Sequence, residues 1–76
     1  MSQLQSHDRQ GTEIKVGDIV TYADRDEMHG GTVAYIAGSG LRELAIEDPK
    51  QGLVIRYGEE TPGAFIVYDC LIVQRS

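Results

Sequence analysis

Nowhere in this chain does a window of about eleven residues place apolar side chains at the three- and four-residue spacings of an amphipathic helix. The apolar stretches are short, rich in β-branched and aromatic residues, and broken by glycine, proline and charge. Leu53, Ile55 and Tyr57 alternate with Val54, Arg56 and Gly58, the period of a strand. Ile14, Val16, Ile19, Val20 and Tyr22 form a first β-rich run, with Gly17-Asp18 as a bend inside it. Thr32 to Ala37, Leu44 to Ile46 and Ala64 to Tyr68 supply further strands. Asp48 to Gly52 and Pro62-Gly63 read as turns. Asp69-Cys70-Leu71 is short enough for one 3₁₀ turn before Ile72 and Val73. The expectation is an all-β small barrel of five or six short, mostly antiparallel strands, spaced at about 8 to 12 residues.

With 76 residues the chain is one small domain that buries roughly 60% of its unfolded surface. That size excludes a two-domain catalytic cleft and a barrel of βα repeats. Residues 1 to 12, MSQLQSHDRQGT, carry no apolar period and only Leu4 as a large apolar side chain beyond Met1. They read as a mobile N-terminal arm, and residues 13 to 76 as the barrel. Seven Lys and Arg against twelve Asp and Glu give a formal charge of −5. Phosphate backbones need a basic surface, so a cationic protein or peptide is the easier partner and nucleic acid the harder one. A single cysteine, Cys70, forms no internal disulfide and agrees with a reducing compartment. No apolar run approaches the ~18 residues of a membrane span, and the first residues lack the apolar core of a signal peptide. The expected location is the cytoplasm, with no membrane partner.

The order of these signals carries a resemblance. KVGDIVTY, a charged loop, GGTVAYI, a hairpin and VYDCLIV together resemble an SH3-like barrel of the KOW and Tudor kind, over about residues 13 to 75. Such barrels bind proteins or, in the KOW case, nucleic acid. Within that class the layout is similar to the plasmid-borne type II dihydrofolate reductases in Gly17 to Val20, the strand near Gly31, Pro62-Gly63, Tyr68 and Leu71. That resemblance implies a small oligomeric barrel. The family's pore uses a Val-Gln-Ile-Tyr run and a lysine after the first Gly-Asp-x-Val. Here Ile66 replaces the glutamine, Tyr22 stands at the lysine, and only Tyr68, with Val67 for isoleucine, remains. The expectation is a non-enzymatic module. A KOW-like nucleic-acid binder and a reductase of this type stand as the alternatives.

No motif calls for a metal or a cofactor. His7, His29 and Cys70 are not paired at zinc-site intervals. Asp24-Arg25-Asp26 opens like a calcium loop, but Gly30 comes one position late and Tyr35 occupies the place of the bidentate glutamate. Gly38-Ser39-Gly40 is followed by no helix pattern that could hold an anion, and reads as a strand connection. Cys70, beside Leu71 and Ile72, reads as a buried thiol without catalytic use.

What is left is aromatic and acidic. Exposed tyrosines in such barrels can form a groove for an extended segment or a cage for a cation. The candidate binding face is Tyr22, Tyr35 and Tyr57, edged by Asp24, Asp26, Glu27, Glu59 and Glu60. The alternative is that the tyrosine rings lie in the core with their hydroxyls in water. Ile19, Val54 and Ile66 fall opposite the expected core set Val20, Ile55 and Val67. Apolar residues on both faces point to a second covered surface, and so to a homo-oligomer.

Overall fold

The computed structural model describes residues 5–37 and 40–75. Within them eight strands form two sheets, and no helix is long and apolar enough to cross a membrane. The strands are β1 (Gln5–His7), β2 (Ile19–Asp24), β3 (Glu27–Ala37), β4 (Glu43–Asp48), β5 (Gly52–Tyr57), β6 (Glu59–Thr61), β7 (Ala64–Ile66) and β8 (Cys70–Gln74). One sheet has the order β5-β4-β3-β2-β8 and is antiparallel throughout; the other has the order β1-β7-β6, with β1 parallel to β7. The all-β class stands; the described residues form eight strands rather than five or six, and no closed barrel.

The added strands have local causes. The stretch read as a long charged loop is a tight hairpin: Asp24 pairs with Glu27, and Arg25 turns the chain at φ 57°. β3 therefore starts at Glu27 and runs eleven residues. Glu59–Thr61 pairs with Ala64–Ile66 across Pro62-Gly63, giving β6. Gln5–His7, expected in the mobile arm, is β1, and Ser6 and Asp8 are buried. Residues 1 to 4 lie outside the described residues, as do Gly38 and Ser39 of the expected strand connection. In place of a 3₁₀ turn, one hydrogen-bonded turn precedes β8, with Cys70 N donating to Val67 O at 3.0 Å.

The inner face of the five-stranded sheet carries Val20, Tyr22, Val33, Leu44, Ile46 and Cys70. Ile14, Phe65 and Val67 complete the buried cluster against it. Burying side chains of this size contributes about 1.5–3 kcal/mol each. Gly31 permits the close β3–β4 contact, since a Cβ there would lie 2.4 Å from Glu47 O and 2.6 Å from Ile46 Cγ2. β5 is turned over relative to expectation: Val54 packs on the core, while Leu53 and Tyr57 are exposed on the other face. The hairpin sets this register. Asp48 pairs with Gly52, which turns at φ 79°, and a shift of one residue would reverse the strand's faces.

Three buried aspartates close the loops. Asp8 Oδ1 accepts from Gln10 N and Thr12 N, each at 2.9 Å, and its Oδ2 accepts from Ile72 N at 3.0 Å. Asp18 Oδ2 accepts from Lys15 N at 3.0 Å, and Arg75 Nη2 stands 3.9 Å from it. Asp48 Oδ1 accepts from Lys50 N at 2.7 Å and Gln51 N at 3.3 Å. A carboxylate that accepts backbone N–H groups satisfies donors that turns otherwise leave open.

Candidate functional site

The predicted site residues separate into three places. Tyr22 is fully buried on the inner face, so it is no part of an exposed binding face; the core placement holds for this residue. Its hydroxyl donates to Asp48 Oδ2 at 2.5 Å and accepts from Gln51 Nε2 at 3.1 Å. His29 stacks on its ring at 5.7 Å between centroids, and the Arg56 guanidinium carbon lies 5.3 Å from the ring centroid. Burial, and then the bond to the Asp48 carboxylate, push the Tyr22 hydroxyl well above the ordinary phenol range. The same bond, aided by the Lys50 backbone N–H, lowers the Asp48 carboxyl to about 2. Buried polar groups so fully partnered fix a loop in place.

Asp24, Asp26 and Glu27 lie at the tip of the β2–β3 hairpin. With Arg25, His29 and Gln51 they line an open cleft of about 570 Å³. Glu27 stands 3.6 Å from His29 Nε2. Glu60 is drawn away to Arg42, at 3.5 Å. Tyr35 is half exposed on the outer face of β3 and pairs with Ala45. Ala45, flanked by Tyr35 and Ile55 in the ladder, is fully buried although it faces away from the core cluster.

The third place joins Tyr57 and Glu59 to residues the sequence reasoning left out. Ile55, Arg56 and Tyr57 of β5 line one side of a groove of about 530 Å³, and Glu59, Ile66, Tyr68 and Asp69 line the rest. It is bordered by β5 of the five-stranded sheet and by β6 and β7 of the other. Tyr57 is 71% exposed and Tyr68 is 55% exposed, so two largely solvent-accessible tyrosines line it. Arg56 fastens the floor: its Nη2 bonds Asp69 and donates to Ala23 O at 3.0 Å. Asp69 is thus neutralised, while Glu59 has no ion-pair partner among the described residues. Among the described residues the groove therefore carries one uncompensated carboxylate, Glu59, in a lining that also includes Tyr57 and Tyr68.

The chain matches no protein-family model, no curated protein and no solved structure.

Cys70, under the turn that carries Tyr68 and Asp69, is buried. Burial, and then the Asp69 charge, push its thiol up to about 12. A thiol held protonated is a poor nucleophile. Among the described residues no group of three or more His, Cys, Asp or Glu side chains is placed to hold a metal ion. The signal that could have found Tyr68 is its position: it follows buried Val67 and opens the turn before β8, where the chain must pass over the surface.

Proposed function

We propose that this chain is a non-enzymatic interaction module of SH3-like architecture, whose groove between Tyr57 and Tyr68 takes an extended, cationic segment of a partner protein. The architectural reading rests on a meander of three hairpins, β2 to β5, with the chain's last strand, β8, returning beside the meander's first, β2. The observation that carries the functional reading is the pair of exposed tyrosines lining one groove together with Glu59, which has no ion-pair partner among the described residues. A lysine or arginine over a tyrosine face gains about 0.5–1 kcal/mol at an exposed site, and the net charge of −5 adds attraction at longer range.

The test is a titration of isotope-labelled protein with arginine-containing extended peptides, with glutamate-containing peptides of the same length as controls. Saturable shifts at Tyr57, Glu59 and Tyr68 with the basic peptides alone are expected. Shifts absent from these three residues, or equal with the acidic peptides, overturn the reading. Sedimentation of the free chain across concentration tests the expected self-association in the same material.

A further inference from the structure

We infer that the partner segment binds as an added antiparallel strand on β5, with a basic residue, a β-branched apolar residue and a second basic residue at alternate positions. This deepens the groove reading above and rests on it. Among the described residues β5 is hydrogen-bonded to β4 alone and forms an edge of its sheet. Gly58 N donates to Arg42 O at 3.0 Å, which makes Arg42 and Gly58 a hydrogen-bonded pair. In an antiparallel ladder such pairs alternate, so Arg56, Val54 and Gly52 turn their backbone groups toward β4. Leu53, Ile55 and Tyr57 therefore turn theirs outward, three N–H and three C=O groups in a row.

Natural edge strands are blunted by lysine, proline, bulges or a cover. β5 has none of these: its one charged residue, Arg56, points inward to Asp69 and Ala23 O. Ile55 and Tyr57 of this edge also line the groove of about 530 Å³. Side chains of the added strand opposite Leu53, Ile55 and Tyr57 fall on the outer face. There the next strand inward presents Glu47, Ala45 and Glu43 in register. A central apolar side chain opposite Ile55 continues the Tyr35-Ala45-Ile55 row. Basic side chains on either side of it reach toward Glu47 and Glu43, and one of them lies beside the Tyr57 ring. A second copy of β5 fits this edge less well. Antiparallel pairing centred on Ile55 would set Leu53 beside Tyr57, offering no cation to either glutamate, and would bring together two chains of charge −5.

The probe is the capped peptide Thr-Arg-Thr-Val-Thr-Arg-Thr, with two variants N-methylated at the valine or at the threonine after it. The valine N–H faces β5 and the threonine N–H faces solvent. Valine methylation is expected to weaken binding about tenfold or more, the loss of one inter-strand bond and its backbone fit, while threonine methylation changes it less than about twofold. Hydrogen exchange at Leu53, Ile55 and Tyr57 should slow when the parent peptide binds. Shifts at Tyr57 and Tyr68 without that slowing, or equal effects of the two methyl groups, overturn strand addition and leave the groove reading standing. Absence of binding by the parent peptide overturns the inference, while binding of other basic peptides in the groove would keep the broader reading. Protection of the three amides in a concentration-dependent dimer without peptide gives the edge to a second copy and also overturns the inference.

Discussion

The five-stranded sheet ends on two strands that meet the solvent differently. β8 is covered: Arg9 N donates to Cys70 O at 2.9 Å, and Asp8 Oδ2 takes the N–H of Ile72. The segment expected as a mobile arm thus guards one edge. β5, at the other end, has no strand paired to its outer edge among the described residues, and it lines a groove. An edge strand left open is a pairing hazard unless it is used. On the proposed reading, the contrast separates residues that hold the fold from residues that would face a partner. Substitutions along the guarded edge should change stability, and those along the bare edge should change binding.

The largest effect is expected at the guard. Asp8→Ala removes the acceptor of three backbone N–H groups, two in the segment's own turn and one on β8. At roughly 1–3 kcal/mol for a buried donor left unmade, and with some of the three reaching water, a loss of about 3 kcal/mol is expected in urea unfolding. The loosened segment should also speed alkylation of Cys70, whose buried thiol is otherwise held at about 12. A loss under about 0.5 kcal/mol, with Cys70 still protected, would show that the guard is dispensable.

A pair of prolines tests the bare edge. Val54→Pro removes a ladder N–H and a core contact, and should cost roughly 2–3 kcal/mol. Ile55→Pro removes an N–H that points to solvent, and should cost about 1 kcal/mol while abolishing strand addition. Equal destabilisation by the two would contradict the backbone alternation derived from the Gly58–Arg42 bond.

Behind the β2–β3 tip, Tyr22→Phe should cost about 1 kcal/mol at neutral pH, the net worth of a buried hydroxyl bond. Its pH signature is more telling. Asp48 has a folded pKa of about 2, below its ordinary 3.8. The stability tied to its ionised form is complete above about pH 4 and is lost as pH falls toward 2. Removing the Tyr22 hydroxyl removes the largest cause of that lowering, so the variant should lose less stability than the parent between pH 4 and 2. Urea midpoints measured across that interval check it, and parallel curves would show that the bond does not set the Asp48 carboxyl.

The all-β class was legible because Leu53 to Tyr57 alternates and no segment has helical spacing. The strand faces were less so. Val54 and Ile55 are both β-branched and apolar, so composition alone does not choose which turns inward. The choice is made by the Asp48–Gly52 hairpin register and by the demand of Arg56 for Asp69. β1 was hidden because Gln5, Ser6 and His7 have no apolar period, and parallel pairing with β7 needs none. At the site, Tyr57 and Glu59 stood among the candidate residues, but alternation ties Tyr57 to the face of Ile55, which was expected to turn inward. The burial of Tyr22 was not legible, because it depends on Asp48, twenty-six residues away in sequence, as hydrogen-bond partner. Tyr68 and Ile66 reach the groove only through tertiary placement of the Val67–Cys70 turn.

The smallest effect on the fold should fall on Tyr57, and it is the sharpest separation of the two edges. The ring is 71% exposed and lies outside the core cluster, so Tyr57→Ala should change unfolding free energy by less than about 0.5 kcal/mol. For an arginine-bearing segment in the groove, the same change removes a cation–π face and an apolar wall. Together these are worth about 1–2 kcal/mol, or roughly tenfold in affinity. Tyr35→Ala is the matched control, since its ring is also solvent-facing on the outer surface but lies two strands from the edge. Isothermal titration with the arginine peptide should show the loss for Tyr57 and a loss of no more than about twofold for Tyr35. If both variants lose affinity alike, the partner lies across the outer face of the sheet and not along its open edge.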